Sequence, residues 1–278
     1  MGIYDRLLKL LHDKRITVSI LITALMLCVS GCSDRDKNNT DPSLQKVLDA
    51  RQLVLGLDEN YPPMGYRDES GKIVGFDIDM ADEVCNRLGI ELVTQPIEWD
   101  QKEDDLNSGK IDCIWNGMSV SPERARAMCL SQSYLRSALV FVVMSDSDVK
   151  EVHDIEGKKV GVQLGSTTED ELRESKLITD ITLVGYVDNQ QLMQDLEQGK
   201  IEVAFIDTIS SYYYSSKSDE RFYVLPESFA KEELAIGFRK DDHALRDKVQ
   251  EVIGEMKADG TLKSISEKWF GEDITIVK

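Results

Sequence analysis

The sequence predicts an α/β protein built as two similar lobes, and two observations predict it. From Leu44 onward, short apolar stretches alternate with amphipathic helical ones, the pattern of strand and crossover helix that builds mainly parallel sheets. The run Leu106-Asn-Ser-Gly-Lys-Ile-Asp-Cys-Ile is also matched in kind by Leu196-Glu-Gln-Gly-Lys-Ile-Glu-Val-Ala about 90 residues later. Each is a helix end, a glycine cap, a lysine and a strand carrying an acid. Two such copies imply two lobes, each with its own sheet, and 278 residues suffice for both.

Ahead of the lobes, Arg6, Lys9, Lys14 and Arg15 precede an apolar stretch, Ile16 to Val29, of 14 residues, short of the roughly 20 that cross a bilayer. The stretch ends in Val29-Ser30-Gly31-Cys32, which resembles a bacterial lipobox. Residues 1–31 are therefore read as a secretory signal, and Cys32 as the cysteine that receives lipid. An uncleaved N-terminal anchor is the alternative, and both place the remainder outside the cytoplasm. Residues 33–42 hold nothing apolar to bury and read as a flexible tether, with its boundary set at 43. Once Cys28 leaves with the signal and Cys32 is acylated, Cys85, Cys113 and Cys129 remain, an odd number among apolar neighbours. They read as small core side chains and not as a disulfide framework.

Strands are expected at Leu53–Leu57, Glu91–Gln95, Asp112–Trp115, Leu139–Met144, Lys159–Gln163, Thr182–Tyr186, Val203–Ile206 and Leu234–Phe238. Met80, Val84 and Leu88 mark a helix capped by Asp77 or Asp79, and Leu192 and Leu196 mark another. Gly260 is expected to close a helix before a last one that ends near Trp269.

A net charge of −18, from 33 basic and 51 acidic residues, argues against nucleic acid or an anionic membrane face as the main partner. Ligands of α/β folds gather at strand carboxyl ends and helix N-termini. Four such places stand out. Asp58 and Tyr61 lie in a loop stiffened by Pro62 and Pro63; a solvated acid in a surface turn is the plainer reading there. The run from Asn116 through Gly117 and Ser119 to Arg124 places Ser121 at a helix N-cap and Pro122 at the first helical position. A cation in a first helical turn opposes the macrodipole, so Arg124 reads as an anion clamp. Gly165, Ser166 and Thr167 form a second glycine turn opening a helix, without the Gly-Lys-Ser/Thr ending of a nucleotide loop. Asp207 ends a strand, where it reads equally well as an ammonium partner or an ordinary carboxylate. With Tyr61 and Trp99 as aromatic walls, the set matches a zwitterionic amino acid.

These residues resemble the family 3 extracellular solute-binding proteins, the amino-acid-binding components of ABC importers, over nearly all of Leu44 to Gly271. The most specific stretch is Gly75-Phe-Asp-Ile-Asp-Met-Ala-Asp-Glu-Val-Cys-Asn-Arg-Leu88. Asn116–Arg124, Gly161–Thr168, Ala204–Asp207 and Ala258–Thr261 follow in the family's order. The resemblance implies the type II periplasmic-binding-protein-like fold, two lobes joined by two crossing hinge segments near Leu135–Phe141 and Ala230–Gly237. Lobe 1 would hold 44–138 and 236–278, and lobe 2 would hold 139–235. It implies that Arg124 holds the ligand carboxylate with Ser119 and Thr167, and that Asp207 and the Gly117 carbonyl hold the ammonium. Tyr61 and Trp99 would flank the side chain, and Asp58 and Asp77 would reach its polar end, so a polar or basic ligand is expected. Cys85 matches half of a disulfide in histidine- and lysine-binding relatives, but the partner position holds Leu92.

The expected partners are a free L-amino acid, the importer's permease with its ATPase, and the membrane through the lipid, with the protein acting as a monomer on the extracytoplasmic face. No cofactor, metal or catalytic residue is expected, because His153 and His243 lack metal-ligand spacing and His12 leaves with the signal. Two alternatives stand beside this reading. One is a cyclohexadienyl-dehydratase-like enzyme using Glu98 or Asp58 as acid or base; the other is an amino-acid-sensing surface lipoprotein.

Overall fold

The computed structural model describes residues 41–176 and 180–278. The expected signal, Cys28, Cys32, His12 and most of the expected tether lie outside the described residues. The tether's expected end does not hold. Asp41 accepts hydrogen bonds from the Ser43 and Ala244 amides, and the Ser43 hydroxyl accepts one from the Leu245 amide, so the chain is fixed from residue 41. These bonds satisfy free amides at the N-terminus of a later helix, a role that composition does not reveal.

The first lobe is built from α1 (Ser43–Ala50), β1 (Gln52–Leu57), β2 (Asn60–Tyr61), β3 (Gly65–Arg67), β4 (Ile73–Val74), α2 (Phe76–Leu88), β5 (Glu91–Pro96), α3 (Lys102–Ser108), β6 (Cys113–Ile114), α4 (Pro122–Ala127) and β7 (Cys129–Leu130). The second contains most of β8 (Leu135–Met144), then β9 (Lys159–Gln163), α5 (Thr167–Glu174), β10 (Thr182–Tyr186), α6 (Asn189–Glu197), β11 (Val203–Asp207), α7 (Thr208–Lys217), β12 (Phe222–Val224) and β13 (Ala230–Leu234). The chain then re-enters the first lobe as β14 (Gly237–Phe238), α8 (His243–Asp259) and α9 (Thr261–Phe270). Gly260 ends α8 in the left-handed conformation, as the sequence predicts.

Each lobe has its own sheet, ordered β5-β1-β6-β14-β7 in the first and β10-β9-β11-β8-β12 in the second, with β13 also paired to β8. The sheets are mixed and not mainly parallel: β1 runs parallel to β5 and β6, whereas β14 is antiparallel to its neighbours. The antiparallel members are the strands that carry the chain between the lobes. The stretch expected as one strand, Leu234–Phe238, is divided accordingly. Leu234 ends a pairing with Leu135 on β8, and Gly237 begins a pairing with Ile114 and Leu130. A small sheet of β2, β3 and β4 was not expected, because its strands are two or three residues long and carry no apolar alternation.

The core explains why the second-lobe strands read as continuous apolar runs. On β8, Leu139, Phe141 and Val143 pack on one face and Val140 and Val142 on the other. On β11, Val203 and Phe205 share the first face, with Ala204 and Ile206 on the second. A strand buried on both faces has no polar side to alternate with. Phe141 and Phe205 stack at 4.3 Å, so the two strands are joined by a ring pair as well as by their ladder. The helix α2 is capped by Gly75; Asp77 and Asp79 fall in its first turn and are not caps. Cys85, Cys113 and Cys129 are buried free thiols.

Candidate ligand-binding cleft

The carboxyl ends of β1, β6, β9 and β11 and the N-termini of α4, α5 and α7 converge on a cleft between the lobes. About 450 Å³ of non-atom space, open solvent included, lies within a lining drawn from both lobes.

Arg124 is the centre of the first-lobe wall. The Ser121 hydroxyl caps α4 by accepting from the Arg124 amide at 3.1 Å, with Pro122 following, so the arginine leaves the first helical turn toward the second lobe. Its guanidinium is 4% exposed and donates to two carbonyls, Ser119 O at 2.9 Å and Gly165 O at 3.1 Å. Among the described residues it forms no ion pair with a carboxylate. Burial pushes its proton affinity below the ordinary arginine value, with Glu232 and Asp170 opposing. A desolvated cation whose partners are neutral calls for an anion.

Tyr61 packs on Gly117, where φ is +58° and a Cβ would lie 2.6 Å from the ring; any other residue would displace the tyrosine. Its hydroxyl donates to Asp207 Oδ2 at 2.8 Å across the cleft. Asp58 is held by the Asn60 amide at 2.8 Å and by Gln163 Nε2 from the second lobe at 2.7 Å, and Asn116 Oδ1 accepts from the Asp58 amide. Burial pushes its carboxyl up to about 6, against those hydrogen bonds. Trp99 stands at the start of a single 3₁₀ turn, with Lys102 Nζ 5.2 Å from its ring centre. Burial, and then Arg124, lower Lys102 to about 8.

On the second-lobe wall, Ser166 caps α5, and Thr167 Oγ1 donates to Glu232 Oε1 at 2.5 Å and lies 3.3 Å from Ser119 Oγ. Asp207 caps α7, its Oδ1 accepting from the Ile209 and Ser210 amides. Gly165, at φ +69°, sits where a Cβ would lie 2.7 Å from the Asp100 backbone, so the lobes touch there.

Of the expected site residues, Asp58, Tyr61, Trp99, Asn116, Gly117, Ser119, Arg124, Thr167 and Asp207 line this cleft. Asp77 does not. It is fully buried beneath the wall, accepting from the Gly117 amide at 2.6 Å and the Tyr134 hydroxyl at 2.9 Å, and so it supports the wall instead of reaching a ligand. Gly165 serves through its carbonyl, which accepts from both Arg124 and Lys102. Glu98, an expected acid or base in the enzyme alternative, is exposed and outside the lining. Gln163, Asn189 and Glu232 line the cleft without having been expected. Gln163 ends β9 and was open to the same strand-end rule that picked Asp207. Glu232 carried no sequence signal separating it from Glu233; only the pairing of β13 with β8 turns the first inward and the second to solvent.

Residues 53–272 match the bacterial extracellular solute-binding proteins, family 3. The chain belongs to this family. This family 3 protein is 32% identical to the L-cystine-binding protein TcyJ of Escherichia coli (strain K12) over 271 residues, 96% of the chain and all of the relative. It is 31% identical to the arginine-binding extracellular protein ArtP of Bacillus subtilis (strain 168), covering 79% of the chain and 86% of ArtP. Its fold superimposes on an ABC uptake transporter substrate-binding protein from Streptococcus pneumoniae with bound histidine, with a TM-score of 0.82 at 31% identity over 86% of this chain and 99% of that one. It also resembles the ancestral amino-acid-binding protein AncCDT-1, a precursor of cyclohexadienyl dehydratase, at a TM-score of 0.77 and 29% identity over 82% of this chain and 99% of that one.

Asp77 gives the family 3 cleft a pH signature. Burial pushes its carboxyl up to about 7, above the roughly 3.9 of an unfolded aspartate, with the Gly117 and Tyr134 bonds opposing. The folded state therefore holds the proton more tightly. The stability this provides is complete below about pH 4 and is lost as pH rises through about 7. Asp77→Asn should thus gain stability relative to the parent protein as pH climbs from 4 to 8. Urea unfolding of both proteins across that range checks it, and a difference independent of pH contradicts it.

Proposed function

We propose that this binding protein captures a free amino acid with a polar or basic side chain outside the cytoplasm and presents it to an ABC importer. The observation that carries the reading is the buried Arg124 guanidinium, which has two carbonyl partners and no ion pair among the described residues. An α-carboxylate supplies the missing anion in a bidentate, charge-assisted contact, with the Ser119 and Thr167 hydroxyls beside it. Asp207 and the Gly117 carbonyl form the negative side for the ammonium, and Tyr61 and Trp99 flank the side chain. Cystine-, arginine- and histidine-binding relatives support the ligand class.

The side-chain preference rests on charge. Asp58, Asp207 and Glu232 face the cleft against a single lining cation, Arg124. An aliphatic side chain leaves Asp58 desolvated and unmatched, and an acidic one adds repulsion. A guanidinium, imidazole or amide can donate to it. Contacts such as Tyr61 to Asp207 and Asp58 to Gln163 span the lobes, so a ligand touching both walls favours closure by its differential affinity for the closed form. The permease then receives a shape that reports occupancy.

Arg124→Ala should abolish binding of every amino acid while the fold is retained. A thermal-shift screen of the domain against the common amino acids identifies the ligand first, since one present at 100 times its Kd adds roughly 2.7 kcal/mol of stability. Calorimetry on the variant then decides. Affinity within about threefold of the parent protein removes the clamp role.

The anchor belongs to the same proposal: Val29-Ser30-Gly31-Cys32 is cleaved before the cysteine, which is acylated and holds the protein at the extracytoplasmic face of the membrane. Cys32→Ala should release the protein from membranes and remove fatty-acid label. A variant that stays membrane-held and labelled excludes this assignment.

A further inference from the structure

The small sheet of β2, β3 and β4 contributes only Tyr61 to the cleft lining, yet it carries three side chains to the second lobe. Tyr61 reaches Asp207 inside the cleft. The other two make their contacts outside it. Asn60 Nδ2 donates to Asp188 Oδ2 at 3.1 Å, while the other oxygen of Asp188 accepts from the Gln191 amide and caps α6. The Tyr66 ring lies 6.0 Å from the Tyr213 ring of α7, tilted by 57°, a separation at which aromatic rings attract. None of Asn60, Tyr66, Asp188 and Tyr213 lines the cleft.

Both halves of the ring pair are braced from behind. In the first lobe, Tyr66 meets Trp269 of α9 edge-on at 6.2 Å, and Trp269 is fixed by donating from Nε1 to Asp79 Oδ2 at 2.7 Å. Lys268 Nζ donates to the same oxygen at 2.5 Å and stands 5.0 Å from the Trp269 ring centre. In the second lobe, Tyr213 packs edge-on against Tyr214 at 5.6 Å. Asp79 belongs to the most specific stretch of the sequence but neither caps α2 nor enters the cleft; fixing Trp269 is the work the structure gives it.

A closing contact that no ligand touches shifts the balance of open and closed lobes by the same amount whatever occupies the cleft. We propose that Tyr66 with Tyr213, and Asn60 with Asp188, form a latch that holds the lobes closed independently of ligand chemistry and sets how slowly any ligand escapes. The small sheet is the first-lobe half of this latch, and Trp269 is its brace. The part that concerns ligand escape rests on the reading of the cleft as an amino-acid site; the part that concerns closure does not.

Five proteins test it: the parent, Tyr66→Ala, Tyr213→Ala, the double variant, and Asn60→Ala. In small-angle X-ray scattering without ligand, each variant should have a larger radius of gyration than the parent. The double variant should match the single tyrosine variants, because either change removes the same contact. Stopped-flow dissociation of L-arginine, L-histidine, L-glutamine and L-cystine is the second readout. For every amino acid the parent binds, each tyrosine variant should speed release about 3- to 10-fold by one common factor, with the double variant within about twofold of the singles. Asn60→Ala should speed it about 2- to 5-fold. Unchanged scattering in both tyrosine variants overturns the proposal. So do release rates within about 1.5-fold of the parent, a factor that differs more than about threefold between amino acids, or multiplying effects in the double variant, the mark of general damage to the fold. If the parent binds none of the amino acids, the reading of the cleft fails, and scattering alone decides the latch.

Discussion

The buried guanidinium of Arg124 is the constraint on which the rest of the cleft depends. It lies on the boundary between the lobes, bonded to a carbonyl of each, Ser119 O and Gly165 O. Neutral carbonyls satisfy its geometry and leave its charge uncompensated, in a site dry enough to depress its proton affinity. An unpaired charge there is costly, and Glu232, the acid with the largest charge effect on it, is tied to Thr167 and forms no ion pair with it among the described residues. In the proposed reading, a zwitterion resolves the conflict by bringing an anion to Arg124 and a cation to the acids around it. In that reading, binding and lobe closure are one equilibrium, because Arg124 is also a group that bridges the lobes.

The architecture delivers this arrangement through strand ends. β1, β6, β9 and β11 stop at the cleft, and the helices that follow β9 and β11, together with α4, begin there. Their caps come from Ser121, Ser166 and Asp207, residues that line or adjoin the site. In the proposed reading, capping and recognition draw on the same residues. At Asp207, Oδ1 accepts from the cap amides, and Oδ2 accepts from the Ser210 and Tyr61 hydroxyls.

Much of this was legible in the sequence where a local rule and a functional rule coincided. Ser121-Pro122 ahead of Arg124 specified both the helix start and an out-of-place cation, and Gly165-Ser166 specified a turn and a cap. Strand positions were readable because apolar runs buried on both faces carry a strong signal; Lys159–Gln163 and Thr182–Tyr186 agree with the structure at both ends. What failed depended on tertiary direction. Asp77 sits in the first turn of α2 like a residue aimed at a ligand, but the helix turns it under Gly117. Glu232 and Glu233 are indistinguishable until the register of β13 against β8 chooses which one faces inward. The β2-β3-β4 sheet is too short to carry any period at all.

The central claim is that Arg124 is completed by a ligand carboxylate, and removing that carboxylate from the ligand tests it without altering the protein. The measurement is calorimetric titration of the parent protein with an amino acid it binds and with the corresponding carboxamide, for example L-arginine and L-argininamide. The account predicts that the amide binds at least about 100-fold more weakly, because a neutral group leaves the buried guanidinium unpaired. An amide that binds within about threefold of the acid contradicts it.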